Sequence, residues 1–212
     1  SGVVFFGGTT GVKGNDNNTI SSCDIHSAGA ALPAIGIGAN NATTAGSAAN
    51  NDGNIITGCN IYDFFHAAAN SCGIKIDQGN NAWVITNNRL YQTAARNYTT
   101  SGFIFRFLHL NPNANANSTL AGNGHLVNGN FFGGTNSSFT GIMTITSGAS
   151  ITTTFQGMDI SVTNGSGTVI TNNTMANISF SSASTATTGV GMFSAININY
   201  GNVTSLSNNT IG

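Results

Sequence analysis

Ile85-Thr86-Asn87-Asn88-Arg89-Leu90 is one of six copies of a short pattern, and its reading decides the fold. Ile20-Ser21-Ser22-Cys23-Asp24-Ile25 and Ile56-Thr57-Gly58-Cys59-Asn60-Ile61 precede it. Val127-Asn128-Gly129-Asn130-Phe131-Phe132, Ile170-Thr171-Asn172-Asn173-Thr174-Met175 and Leu206-Ser207-Asn208-Asn209-Thr210-Ile211 follow. The shared form is apolar, small polar, Asn/Gly/Ser, Asn/Cys, variable, apolar. Its last apolar positions are 36, 29, 42, 43 and 36 residues apart. A rigid helical repeat does not tolerate such drift. Short strands joined by surface loops do, because doubling a loop costs only about 0.6 kcal/mol. Apolar residues on either side of a polar step rich in Asn and Gly read as strand–turn–strand, and a repeat of this period reads as a stacked array.

Parallel strands stacked about 4.8 Å apart put like positions above one another. Ile25, Ile61, Leu90, Phe132, Met175 and Ile211 then form an inward column. Asn88, Asn130, Asn173 and Asn209 form a ladder at an inner corner, where Asn tolerates left-handed backbone and satisfies neighbouring peptide groups. Cys23 and Cys59 fall in that same column, most simply as small buried fillers. Adjacent coils also lie within the Cα range of a disulfide, about 4.4–6.8 Å, so that pairing stays open. Cys72 has no evident partner. A second signal sits between copies: Gly11-Val12-Lys13, Gly36-Ile37, Gly73-Ile74-Lys75-Ile76, Gly102-Phe103-Ile104-Phe105, Gly141-Ile142 and Gly157-Met158-Asp159-Ile160. Phe5-Phe6-Gly7-Gly8 aligns with Phe131-Phe132-Gly133-Gly134, and Thr210-Ile211-Gly212 occupies the same slot. The expectation is about six coils with the end in phase with the start, a piece of a longer array or a unit that stacks end on end.

With these repeats, Asn81-Ala82-Trp83-Val84-Ile85-Thr86-Asn87-Asn88-Arg89-Leu90-Tyr91-Gln92-Thr93 and the F-F-G-G-T at 5–9 and 131–135, the chain resembles the right-handed parallel β-helix of the pectin-lyase-like type. More narrowly it is similar to the β-helix repeats of giant secreted surface proteins of Gram-negative bacteria. The resemblance covers the whole chain. It implies an all-β solenoid over residues 1–212, one segment of a longer exported protein, and is far less specific for activity, since one scaffold carries lyases, hydrolases, tailspikes and adhesins.

Composition narrows the function. Asn, Gly, Thr and Ser make up just over half of the 212 residues, there is no Glu, and only 5% of residues are charged. A Glu- and Lys-rich helical protein is excluded. The 40% hydrophobic content and two prolines argue against disorder. A formal net charge of −1 gives no footprint for nucleic acid, and no apolar run approaches the roughly 18 residues of a membrane-spanning helix. Low charge with abundant Asn, Thr and Gly suits an extracellular or cell-surface protein.

Catalysis on such a scaffold needs clustered carboxylates, to hold Ca²⁺ beside a basic residue or to act as an acid–base pair. The six Asp residues fall mostly in different phases of the repeat, so no catalytic residue, metal site or cofactor is assigned. The best constellation joins Asp24 with His26, Asp63 with His66, and Asp77 with Lys75 and Arg89. Asp24, Asn60 and Arg89 share an outward column, which allows an Asp24–Arg89 pair only across about 9–10 Å of stacked rise. Asp24, Asp63, Asp77 and Arg89, with Tyr62 and Tyr91 among the aromatics, are the candidate contacts for a glycan or other surface ligand. Alternation in Phe103-Ile104-Phe105-Arg106-Phe107 predicts one inward and one outward row. Thr57, Thr86 and Thr171 form a file that Ser21, Asn128 and Ser207 interrupt, too broken for an ice-binding array. The expectation is a non-catalytic structural or adhesive module. A carbohydrate-active β-helix and a self-assembling filament are the alternatives.

Overall fold

The computed structural model describes residues 2–8, 13–27, 29, 32–40, 48–111, 122–186 and 189–212. Thr9, Gly11 and Val12 of the sequence signals, with residues 28, 30–31, 41–47, 112–121 and 187–188, lie outside them. Among the described residues there is no helix. The pattern of short strands and Asn/Gly turns builds three six-stranded sheets, parallel throughout.

The first sheet takes Val4–Gly7, Ile35–Asn40, Ser71–Ile76, Phe103–Leu110, Thr153–Ser161 and Phe193–Tyr200. The second takes Thr19–Ser21, Ile55–Thr57, Val84–Thr86, Leu126–Asn128, Thr168–Thr171 and Val203–Ser207. Asp24–Ile25, Asn60–Tyr62, Arg89–Tyr91, Phe131–Phe132, Thr174–Met175 and Thr210–Ile211 make the third. Within every sheet the strands lie in chain order, and the chain visits first, second and third sheet in rotation. This all-parallel arrangement is compatible with a parallel β-solenoid.

The turn between the second and third sheets shows why the repeat reads as it does. Its left-handed residue is Ser22, Gly58, Asn87, Gly129, Asn172 or Asn208, with φ between 52° and 69°. Only residues that accept such backbone recur there. The next position carries the hydrogen-bonded column. The backbone N–H and Nδ2 of Asn88 both donate to Asn130 Oδ1 at 3.0 Å, and Asn130 repeats this toward Asn173 at 3.0 and 2.9 Å. Asn173 does the same toward Asn209. Each Nδ2 also reaches back to a second-sheet carbonyl: Ile56, Ile85, Val127 or Ile170. Buried amides are thereby satisfied on both sides.

Inward columns close the core. Ile56, Ile85, Val127 and Ile170 line the second sheet, Ile61, Leu90, Phe132 and Met175 the third, and Ile37, Ile74, Leu108 and Met158 the first, all buried. The first and third sheets approach closely at Gly36, Gly73 and Gly157. A Cβ on Gly73 would stand 2.5 Å from Leu90 Cδ2 and 2.8 Å from the Phe107 carbonyl. Gly102 and Gly141 differ: both have positive φ and lie outside the strands, so the second sequence signal mixes two kinds of glycine. Phe105 and Phe107 point inward, with Ile104 and Arg106 on the other face. Phe105, Phe155 and Phe193 stack in register.

The alignment of the two F-F-G-G segments is corrected. Phe5 and Phe6 pair with Gly38 and Ala39 in the first sheet, whereas Phe131 and Phe132 belong to the third. Gly133 and Gly134 have positive φ and turn the chain, while Gly7 ends a strand. Like composition here serves two backbone geometries.

Candidate functional site

Alternation in the first sheet sends every second side chain outward. Gly38, Lys75, His109, Asp159 and Asn197 thus form one column, each in register with the next. Arg106 and Gln156 stand beside it, and Arg106 Nε donates to Gln156 Oε1 at 2.8 Å. Four of the chain's eleven charged side chains, Lys75, Asp77, Arg106 and Asp159, gather on this one surface.

Asp159 anchors the group. Its Oδ2 forms an ion pair with Arg106, whose Nε lies 3.0 Å away, and accepts a hydrogen bond from His109 Nδ1 at 2.9 Å. Its Oδ1 accepts from Asn197 Nδ2 at 2.8 Å and Asn199 Nδ2 at 3.0 Å. Burial alone would raise its pKa. The His109 hydrogen bond and the Arg106 charge outweigh that and hold the carboxyl below its ordinary value. The ionised carboxylate fixes the proton of His109 on Nδ1, which turns Nε2 toward Asp77 Oδ1, 3.6 Å away. Asp77 is paired in turn with Lys75.

An open groove of about 310 Å³ runs along this surface, lined by Asn40, Lys75, Asp77, Gln78, His109 and Asn111. A hollow of about 160 Å³ beside it shares Asn40, Lys75 and Asp77 and is walled by Phe5. The Phe5 ring lies over Gly38 and is 53% exposed. Two basic and two acidic groups cancel, so the surface is polar without a strong field. An aromatic face beside convergent donors and acceptors suits a neutral, hydroxyl-rich ligand. Among the described residues no three His, Cys or Asp side chains converge as a metal would require.

The residues singled out in the sequence lie apart. Asp24, Asn60 and Arg89 do share a column, on the third sheet. The Asp24–Arg89 pair is replaced: Asn60 Nδ2 donates to Asp24 Oδ1 at 2.7 Å, and the Arg89 guanidinium sits 5.6 Å from the Phe131 ring centre. Asp63 follows the third sheet, accepts from Thr93 N and Oγ1 at 2.9 and 2.7 Å, and pairs with Arg96. Tyr62 stacks between His26 and Tyr91, with ring centres 4.5 and 4.9 Å apart. Burial, with Tyr62, Asp24 and Asp63 nearby, pushes the Tyr91 hydroxyl up to about 12. Of the six, only Asp77 lines the groove.

Cys59 occupies the ladder position, its N–H donating to Asn88 Oδ1 at 3.0 Å, and is buried. Cys23, expected as a buried filler, is exposed because only one neighbouring rung covers it. Arg106, His109 and Asp159 were missed in the sequence. Their signal is the alternation of Ile74-Lys75-Ile76-Asp77, Leu108-His109-Leu110-Asn111 and Met158-Asp159-Ile160-Ser161, which aligns once Ile74, Leu108 and Met158 are superposed. Comparison with known proteins gives no match to a family model, a curated protein or a solved structure.

Proposed function

We propose that the chain is a right-handed parallel β-helix of about six coils, acting as a rigid, non-catalytic structural and adhesive module of a large extracellular or cell-surface protein, and that it holds a glycan in the first-sheet groove. The observation that carries this is the meeting of the exposed Phe5 ring with Asn40, Lys75 and Asp77 around one hollow. Sugar rings offer an apolar face and a rim of hydroxyls, and this surface answers both. The extracellular placement rests on composition, the handedness on the family resemblance. Phe193, Ile198, Leu206 and Ile211 are exposed on the last strands; further coils, of the same protein or of end-to-end copies, are the partners that would cover them.

The carbohydrate-active alternative has one favouring observation: His109 stands between two carboxylates, Asp159 and Asp77. A glycan array probed with the chain, paired with a reducing-end release assay on every bound polysaccharide, separates the readings. Binding without release, weakened at least tenfold in Phe5→Ala and Asp77→Ala, is expected. Release of reducing ends that vanishes in Asp77→Ala would replace the adhesive reading by the catalytic one. Absence of binding would leave a spacer or filament role.

A further inference from the structure

The Asn ladder stops at the second rung. Each of Asn88, Asn130 and Asn173 offers its backbone N–H to the carboxamide of the next rung, and Cys59 still offers its own to Asn88. Toward the first rung the carboxamide is replaced by sulfur. Cys23 and Cys59 stand opposite one another, since Asp24 pairs with Asn60 and Asn60 N donates to the Cys23 carbonyl at 2.9 Å. Neighbouring parallel strands bring such Cα atoms to about 4.8 Å, inside the range of about 4.4–6.8 Å that a disulfide spans. The side chains agree. Cys23 Sγ lies 3.2 Å from the Ser21 carbonyl, and Cys59 Sγ lies 3.4 Å from the Thr57 carbonyl of its own rung and 3.7 Å from that of Ile20 on the first, so the Cys59 sulfur leans toward the rung that carries Cys23.

We propose that Cys23 and Cys59 are a redox clamp that closes to a disulfide in an oxidising medium and ties the first rung to the second where the ladder is missing. Exposed Cys23 is the point of entry. Its thiolate attacks one sulfur of a small-molecule disulfide, forming a mixed disulfide and releasing one thiol. Cys59, deprotonated as it attacks, then displaces the second thiol. Two protein thiols lose two electrons and two protons, and the reagent's disulfide is reduced to two thiols. Cys72 is buried on the first sheet and takes no part. This inference is independent of the glycan reading.

The test treats the folded chain with oxidised glutathione and maps its peptides without reduction. A Cys23–Cys59 cross-link in wild type and in Cys72→Ser is expected, together with slower hydrogen exchange of the amides of Thr19–Ile25 that Cys59→Ser lacks. A glutathione adduct that persists on Cys23 while Cys59 stays reduced would overturn the proposal. So would a chain-to-chain Cys23 dimer, or a cross-link to Cys72. The exchange readout on the reduced Cys59→Ser protein separates a lost clamp from a first rung that never folds.

Discussion

Single residues carry the turns and one pH response. Gly58 has φ of 65° in a position where Asn87 and Asn172 occupy equivalent turns, and a Cβ there meets nothing nearer than 3.7 Å. The strain of a substitution is therefore backbone strain alone. Gly58→Asn should leave the urea midpoint nearly unchanged, and Gly58→Val should cost about 1–2 kcal/mol. His125 is buried, its Nδ1 accepting from the Trp83 N–H at 3.2 Å. Burial pushes its pKa down to about 4, from 6.5. Above about 6.5 the ring is neutral folded or unfolded. Between about 6.5 and 4 only the unfolded chain takes a proton, so stability falls with pH, by roughly 3 kcal/mol over the window. Urea unfolding at several pH values checks this. His125→Asn, which installs the residue found two rungs earlier at Asn54, whose Oδ1 accepts from the Asn18 N–H at 2.9 Å, should flatten the slope in that window.

Elements explain what was legible in the sequence and what was not. The second and third sheets announce themselves because both strands and their turn fit in one six-residue pattern, from Ile85 to Leu90, whose ladder and left-handed positions admit few residue types. The first sheet has no such local signature. His109 and Asp159 are 50 residues apart, as are Arg106 and Gln156, and loops of unequal length separate their strands. Register across that distance is set by packing at Gly36, Gly73 and Gly157, glycines of the second sequence signal whose other copies, Gly102 and Gly141, serve turns instead. The candidate contacts were therefore sought beside the repeat, at Asp24 and Arg89, and only Asp77, with the Lys75 named beside it, lies on the first-sheet surface. Asp159→Asn tests the cluster as a unit: Arg106 and His109 both lose a carboxylate with a 5% exposed side chain. A loss of about 2–4 kcal/mol by urea denaturation is expected, whereas Asp24→Asn, exposed on the third sheet, should change stability by less than about 0.5 kcal/mol.

The whole molecule behaves as a stack in which each rung leans on its neighbours. The same residue type should then cost more in the middle than at an end. Phe155 is buried between Phe105 and Phe193, and Phe193 itself is 44% exposed. Phe155→Ala should cost about 3–5 kcal/mol and Phe193→Ala no more than about 1–2. Equal losses in thermal or urea unfolding would mean the rungs do not stack as described. At this scale too, the groove depends on register, because its lining comes from three successive strands of the first sheet and their ends: Asn40, Lys75 with Asp77, and His109 with Asn111.

The most direct test is a backbone amide NMR titration of the isotopically labelled chain with the oligosaccharide that an array selects. Shift changes confined to Gly38–Asn40, Lys75–Gln78 and His109–Asn111, and absent in Phe5→Ala, are the predicted result. Changes centred instead on Asp24, Tyr62, Arg89 and Tyr91 would move the ligand to the third sheet and contradict the account.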